Sequence, residues 1–282
     1  MKIAIVGVGL IGGSMALILK NKKFASKIIG TDLNKSHLQT AERLQIIDEA
    51  ADLELGIKGA DLIIIAIPVD ATLNLLPKIM DLVTENQTVM DVGSTKKEIL
   101  ESIVLHENRG QFVATHPMWG TENSGPGNAT DSAFLGKTVV IVDPENSSKI
   151  GLEKVELLYK ALEMNSIYMN SKDHDIHTAY ISHISHITSY ALANTVLEKE
   201  KEEETLFQLA SSGFSSTVRL AKSHPEMWVP IFLQNRKNVL EVLNEHIFQL
   251  GKFKKALEEK SEVDLKNLIK NANNIRGILE KK

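Results

Sequence analysis

The sequence has no cysteine, which removes disulfides, thiolate metal sites and a cysteine nucleophile from consideration. No uninterrupted apolar run approaches the roughly 20 residues that a bilayer-spanning helix needs. An excess of one charge is missing too. The 32 basic residues are mixed with 36 acidic ones, for a net charge of −4, which leaves no footprint for nucleic acid or an anionic membrane. Internal repeats and low-complexity stretches are also absent. What remains is a 282-residue chain of ordinary charged and apolar content, long enough for two domains with their own cores. The expected setting is the cytoplasm.

The first 32 residues carry the densest signal. Residues 2–6, Lys-Ile-Ala-Ile-Val, suit a buried parallel strand. Gly7-Val8-Gly9-Leu10-Ile11-Gly12 follows at once, and a helical stretch follows that. A second strand, residues 27–31, ends at Asp32, 20 residues after Gly12. Each part has a physical task in holding a dinucleotide. Gly7 permits the tight turn, Gly9 lets the backbone approach a pyrophosphate, and Gly12 lets helix and strand pack closely. The helix N-terminus offers free N–H groups and partial positive charge to the phosphates. Asp32 accepts hydrogen bonds from a ribose 2′-hydroxyl and repels a 2′-phosphate, which favours NAD over NADP. Cofactor contacts are expected at Gly7, Gly9, Leu10, Ile11, Gly12, Asp32 and, after the third long strand, Pro68. Lys2 and the apolar stretch behind it imitate a secretory leader, but glycines at motif spacing interrupt the run and no small-residue cleavage site follows.

Strand and helix patterns alternate as far as about residue 170. Apolar runs at 61–68, 88–93, 112–115, 137–142 and 167–169 read as strands, and 72–84 and 96–106 read as helices. Such alternation implies a mostly parallel sheet covered on both faces, a Rossmann-type α/β fold. Beyond Asn170 the spacing is helical only: 172–199, then one long helix over 226–258 with Pro230 in its first turn, then a final helix opened by the capping box Ser261-Glu262-Val263-Asp264. The charge run 199–204 reads as a solvated helix end. Residues 1–170 thus form an expected NAD-binding domain and 171–282 an all-α domain, whose wide apolar faces are expected to close a homodimer.

In an open α/β sheet the ligand lies beyond the carboxyl ends of the strands. Ser94 and His116 follow strands directly. A histidine of near-neutral pKa suits the acceptance of a hydroxyl proton as hydride leaves, so His116 is the candidate base. The alternative is that His116 caps the turn before Pro117. His183 and His186 stand at i, i+3 and share a helix face, as substrate-binding or plain surface groups. No HExxH or carboxylate cluster accompanies them, and no metal is expected. Taken alone, Arg219 reads as a surface charge and Trp228 as core or interface.

Several blocks occur together and in order. They are residues 7–14 (GVGLIGGS), 91–96 (DVGSTK), 116–125 (HPMWGTENSG), 182–186 (SHISH) and Arg219-Leu220-Ala221. In this combination the chain resembles the prephenate dehydrogenase family over essentially its whole length. The resemblance implies NAD-dependent oxidative decarboxylation of prephenate, a dicarboxylate, to 4-hydroxyphenylpyruvate in tyrosine biosynthesis. It implies that His116 and Ser94 meet the ring hydroxyl and that Thr121, Glu122 and His186 lie on the substrate side. It further implies that Arg219 binds a carboxylate and that Trp228 reaches the site from the other subunit. Arogenate is the nearest alternative substrate, and a β-hydroxy-acid dehydrogenase of similar architecture the next. A non-catalytic NAD sensor is a further one. Two positions depart from the family pattern: Ser185, where proline is common, and Ser215, where several members carry lysine.

Overall fold

The computed structural model describes residues 1–201 and 205–280. Its sheet has eight strands: β1 (Lys2–Val6), β2 (Lys27–Thr31), β3 (Glu49–Ala50), β4 (Leu62–Ile65), β5 (Thr88–Asp91), β6 (Phe112–Pro117), β7 (Thr138–Val142) and β8 (Asn165–Met169). They lie in the order β3-β2-β1-β4-β5-β6-β7-β8. The strands from β3 to β6 are parallel, β7 runs antiparallel to β6, and β8 is parallel to β7. The chain leaves β1 for β2 and β3 on one side and returns to β4 on the other. The edge between β1 and β4 is therefore the switch point at which such sheets bind ligands.

Both faces of the sheet are covered, which is why its strands read as continuous Ile/Val runs rather than alternating ones. Ile3, Ile5, Leu62 and Ile64 pack with Met15 and Leu19 of the helix Leu10–Asn21 and with Tyr159 of the helix Lys149–Ala161. The alternate residues Ala4, Val6, Ile63 and Ile65 form a second core with Leu76, Ile79, Trp228 and Ile231. Helix Pro225–Gln234, which supplies Trp228 and Ile231, thus packs in the same compact unit as the sheet.

The structure refines several expected elements. Strand β6 extends two residues past Thr115, so His116 lies within it, paired with Val140 of β7, rather than after it. Residues 96–106 form only one helical turn, Lys97–Glu101, before a series of turns. The stretch 172–199 is helical throughout but contains a π-helical turn, Ala179–His183, between Ser171–Thr178 and Ile184–Glu200. The long helix expected over 226–258 is two helices, Pro225–Gln234 and Arg236–Glu258, broken at buried Asn235. Apolar periodicity runs through that break because both segments bury one face. Ser261 caps the helix Glu262–Asn273 as anticipated, accepting from Asp264 N at 3.3 Å. Of the charge run at 199–204, residues 202–204 lie outside the described residues.

The chain packs as two compact units, Met1–Arg236 and Lys237–Lys282. The second unit is helical and leaves Ile247, Phe248, Leu250, Leu257 and Ile269 exposed. Among the described residues, no helix is long and apolar enough to cross a membrane.

Candidate active site

The glycine loop has the geometry its spacing requires. Gly7 has φ +96°, and a Cβ there would lie 2.4 Å from the carbonyl oxygen of Ala66. At Gly12 a Cβ would lie 2.1 Å from the Gly7 carbonyl oxygen, so the helix rests directly on the loop. A Cβ on Gly9, by contrast, would meet nothing within 4 Å. Packing does not explain that glycine, whereas a phosphate approaching the backbone does. Gly9 also caps the helix Leu10–Asn21 with no side-chain hydrogen bond, which leaves the amide groups at Leu10 and Ile11 for a ligand. Asp32, just past β2, is tied to the loop by accepting from Val8 N at 3.0 Å and from Asn34 N at 2.8 Å. Pro68, exposed, follows β4 and caps the helix Val69–Leu82 beside the loop. These residues fit a dinucleotide.

Strand β6 runs past the end of β5 and carries His116 to the carboxyl edge of the sheet. The imidazole is 8% exposed. Its Nδ1 lies 2.9 Å from Nε2 of His174, and Nδ1 of His174 lies 2.8 Å from Oδ1 of Asp175. The Asp175 carboxylate also accepts from the backbone N–H groups of Lys96 (2.9 Å) and Lys97 (3.0 Å). The first amides of the short helix after Ser94 are therefore filled from within the chain. Ser94 itself is half-buried in the loop between β5 and that helix. Below it, the Lys96 ammonium and the Asp91 carboxylate form a fully buried ion pair.

Burial pushes the His116 pKa well below the usual histidine range, and His174, Lys96 and His183 add to the effect. Burial also lowers His174, against the opposing pull of Asp175. His183 is pushed down to about 4 by burial. His186 is lowered by burial as well, with Arg219 nearby acting in the same direction. At neutral pH these imidazoles are uncharged. An uncharged imidazole can accept a proton.

Arg219 opens a short turn, Arg219–Lys222, anchored to the helix Ile184–Glu200. Ser189 Oγ accepts from Ala221 N at 3.0 Å and donates to the Thr217 carbonyl at 3.1 Å. The guanidinium is half-exposed and donates through one nitrogen to Glu122 Oε2 at 3.3 Å, which leaves its other donors for a ligand. Glu122 and exposed Thr121 belong to the segment that leaves His116. That segment folds back over the first helix, where Thr130 N donates to Ser14 Oγ at 3.0 Å. His186 and His183 share a face, as their spacing predicts. Both rings meet Trp228, His186 stacked at 3.4 Å between centroids and His183 edge-on at 6.0 Å. Within its own chain the Trp228 ring thus contacts both histidines and the core beneath the sheet. Ser185 and Ser215 are both exposed on helices and leave the local backbone helical.

The structure thus gathers His116, His174, His183, Lys96 and Asp175 around one buried centre, and His186, Trp228, Arg219 and Glu122 in a second, linked group. His174, Asp175 and Asn235 were not named from sequence, and Asp91 and Lys96 only as parts of the block 91–96. His174 and Asp175 lie in the helix Ser171–Thr178, the first after the last strand, and an adjacent His-Asp pair there is a signal that could have been read. Asn235 carries no sequence signal, because only the fold brings it to the Asp175 carbonyl, at 2.6 Å. Among the described residues, no group of three or more His, Asp and Glu side chains is placed to hold a metal ion.

A family described as prephenate dehydrogenase, nucleotide-binding domain, matches residues 15–168, and one described as prephenate dehydrogenase, dimerization domain, matches residues 170–271. The prephenate dehydrogenase of Bacillus subtilis is 31% identical, over 97% of this chain and 75% of its own length. The solved structure of prephenate dehydrogenase from A. aeolicus, in complex with hydroxyphenyl propionate and NAD+, is 30% identical, with a TM-score of 0.90 over 99% of this chain and 98% of that one. Synechocystis arogenate dehydrogenase is 29% identical, with a TM-score of 0.79 over 99% of this chain and 100% of that one. By sequence, fold and both of its matched domains, the chain belongs to the prephenate dehydrogenase family.

Proposed function

We propose that this protein catalyses the NAD-dependent oxidative decarboxylation of prephenate to 4-hydroxyphenylpyruvate, CO2 and NADH. The observation that carries the reading is an uncharged, buried imidazole, His116, at the carboxyl edge of a sheet whose switch point is shaped for a dinucleotide. Bound NAD supplies the hydride acceptor. Gly7, Gly9, Gly12 and the amides of Leu10 and Ile11 would hold its pyrophosphate and Asp32 its ribose hydroxyls, with Pro68 as a further contact. His116 takes the proton of the ring hydroxyl while the C4 hydrogen leaves as hydride, and returns it to the oxygen as loss of CO2 makes the ring aromatic. No net proton is consumed. Ser94 meets the same hydroxyl. Arg219 binds a substrate carboxylate, with Thr121, Glu122, His186 and Trp228 around it. The substrate's own aromatisation supplies much of the driving force, so the protein's main work is orientation.

The reading includes a functional division near residue 170, a homodimer closed by the exposed apolar side chains of the helical region, and a cytoplasmic setting. Arogenate is the second reading. Ser215 stands on the helix Ser212–Thr217 where several family members carry lysine, and the loss of that cation removes a repulsion toward a substrate ammonium. The test is NADH formation with prephenate, with arogenate and with a panel of β-hydroxy acids, each with NAD and NADP. Turnover of prephenate with NAD is expected. Absence of turnover with both cyclohexadienyl acids rejects the assignment.

A further inference from the structure

We propose that His174 and Asp175 are positioning residues that fix the tautomer of His116 and so leave its Nε2 as the unprotonated nitrogen facing the substrate. The inference deepens the proposed reaction and rests on it for the identity of the hydroxyl. It follows from three contacts taken in sequence. An ionised Asp175 accepts hydrogen bonds and donates none, so the 2.8 Å contact to His174 Nδ1 requires the proton on that nitrogen. A neutral His174 with Nδ1 protonated has a bare Nε2. The 2.9 Å contact from His174 Nε2 to His116 Nδ1 then requires His116 to donate from Nδ1. A neutral His116 that donates from Nδ1 carries its lone pair on Nε2. The series has three premises, an ionised Asp175 and two buried imidazoles that are both uncharged, and each proton's place follows from them.

The surroundings keep Asp175 in place as an acceptor. Its Oδ1 receives Lys96 N at 2.9 Å and its Oδ2 receives Lys97 N at 3.0 Å, so donors meet both oxygens. The backbone of Asp175 is held separately, its carbonyl accepting from Asn235 Nδ2 at 2.6 Å. Asn235 is the residue at which the long apolar helical pattern breaks, and its side chain also lies 3.2 Å from Nδ1 of His183. The interruption of an otherwise continuous helix therefore coincides with the anchoring of the dyad. His174 is fully buried and Asp175 nearly so, which excludes water as a competing partner. During the reaction the substrate O–H bond breaks as an N–H bond forms at His116 Nε2. Both changes reverse when the ring oxygen is reprotonated, so the dyad orients the base without gaining or losing a proton.

The test is nitrogen-15 NMR of histidine-labelled protein, with the His116 signals assigned by their loss in His116→Asn, combined with turnover of His174→Phe. In the native protein His116 is expected to show a bonded proton on Nδ1 and a bare Nε2. In His174→Phe the acceptor facing His116 Nδ1 is gone; a buried N–H without a partner is costlier than a bare nitrogen, so the His116 proton moves to Nε2. The expected result is a fall in kcat of about 10²–10⁴-fold, the scale seen when a triad base is held in the wrong tautomer, with the NAD Kd within about twofold. A purely structural role would lower stability without moving that proton. A native His116 protonated on Nε2, or a His174→Phe variant with unchanged tautomer and kcat, overturns the proposal. If the variant fails to fold, the native spectrum alone decides. A native enzyme that shows the expected tautomer but does not turn over prephenate counts against the substrate assignment and not against the dyad.

Discussion

The nucleotide half-site and the proton-handling centre of this molecule are built by opposite means. The first is backbone. Its parts lie within 32 residues, and its shape is set by where a Cβ cannot go at Gly7 and Gly12 and by where nothing stands, at Gly9. The second is made of side chains drawn from residues 91–96, 116, 174–175, 183 and 235, joined by hydrogen bonds and buried together. The half-site meets its ligand with N–H groups that need no tuning. The proton-handling centre depends on burial and neighbours, which decide the charge of each imidazole. The comparison teaches that substitutions should act on shape in one place and on protonation in the other.

Six substitutions would break or sharpen that contrast. The largest effect is expected from His116→Asn, a fall in kcat of about 10²–10⁴-fold in steady-state assays with the NAD Kd within about twofold. An unchanged kcat removes His116 from the chemistry. The glycine pair separates packing from binding. Gly9→Ala is expected to leave the melting temperature unchanged while weakening NAD by at least about 1.4 kcal/mol, tenfold in Kd, measured by calorimetry. Gly12→Ala is expected to destabilise the fold by about 1–3 kcal/mol in denaturant titration, because the added methyl meets backbone. Equal effects of the two would dissolve the distinction.

Arg219→Ala is expected to raise KM roughly 10- to 100-fold with little change in kcat, from loss of a charged hydrogen bond worth about 1.5–3 kcal/mol. A KM within twofold of the native value argues against carboxylate capture. For acid stability the sign follows from the depressed pKa of His183. The folded state resists protonation that the unfolded chain accepts at about 6.5. Stability is therefore full above about pH 6.5 and declines toward about pH 4, where the folded group titrates too. His183→Gln is expected to flatten the decline in melting temperature between pH 7 and pH 5, and an identical slope would assign the acid sensitivity elsewhere. The smallest effect is expected at Asp32→Ala, a relaxation of NAD preference over NADP by about fivefold, the scale of one partly exposed charge at ~1 kcal/mol. If NADP stays excluded, another group discriminates.

Sequence was most legible where information is local. Period and turn chemistry place β1, β2, the glycine loop and Asp32, because each depends on residues within a few positions of one another. The paired histidines and the capping box at Ser261 were legible for the same reason. Strand ends were less so. Strand β6 reaches Pro117 because β7 pairs with it there, a tertiary contact that no local pattern announces. The break at Asn235 was hidden because its cause, a carbonyl 60 positions earlier, lies outside any helical window. His116 and Ser94 stood out by residue type and place after a strand, and Arg219 by resemblance alone, whereas His174 and Asp175 touch His116 or each other and declare themselves only as distances.

The central claim, that an uncharged His116 is the base, is tested most directly by the pH dependence of kcat/KM for prephenate from pH 5 to 9. Because burial lowers the His116 pKa, the account predicts a plateau through neutral pH and a fall on the acid side only, beginning below about 6.5, that is absent in His116→Asn. An activity that rises as pH drops below 7, or an acid limb that persists unchanged in the variant, would contradict it.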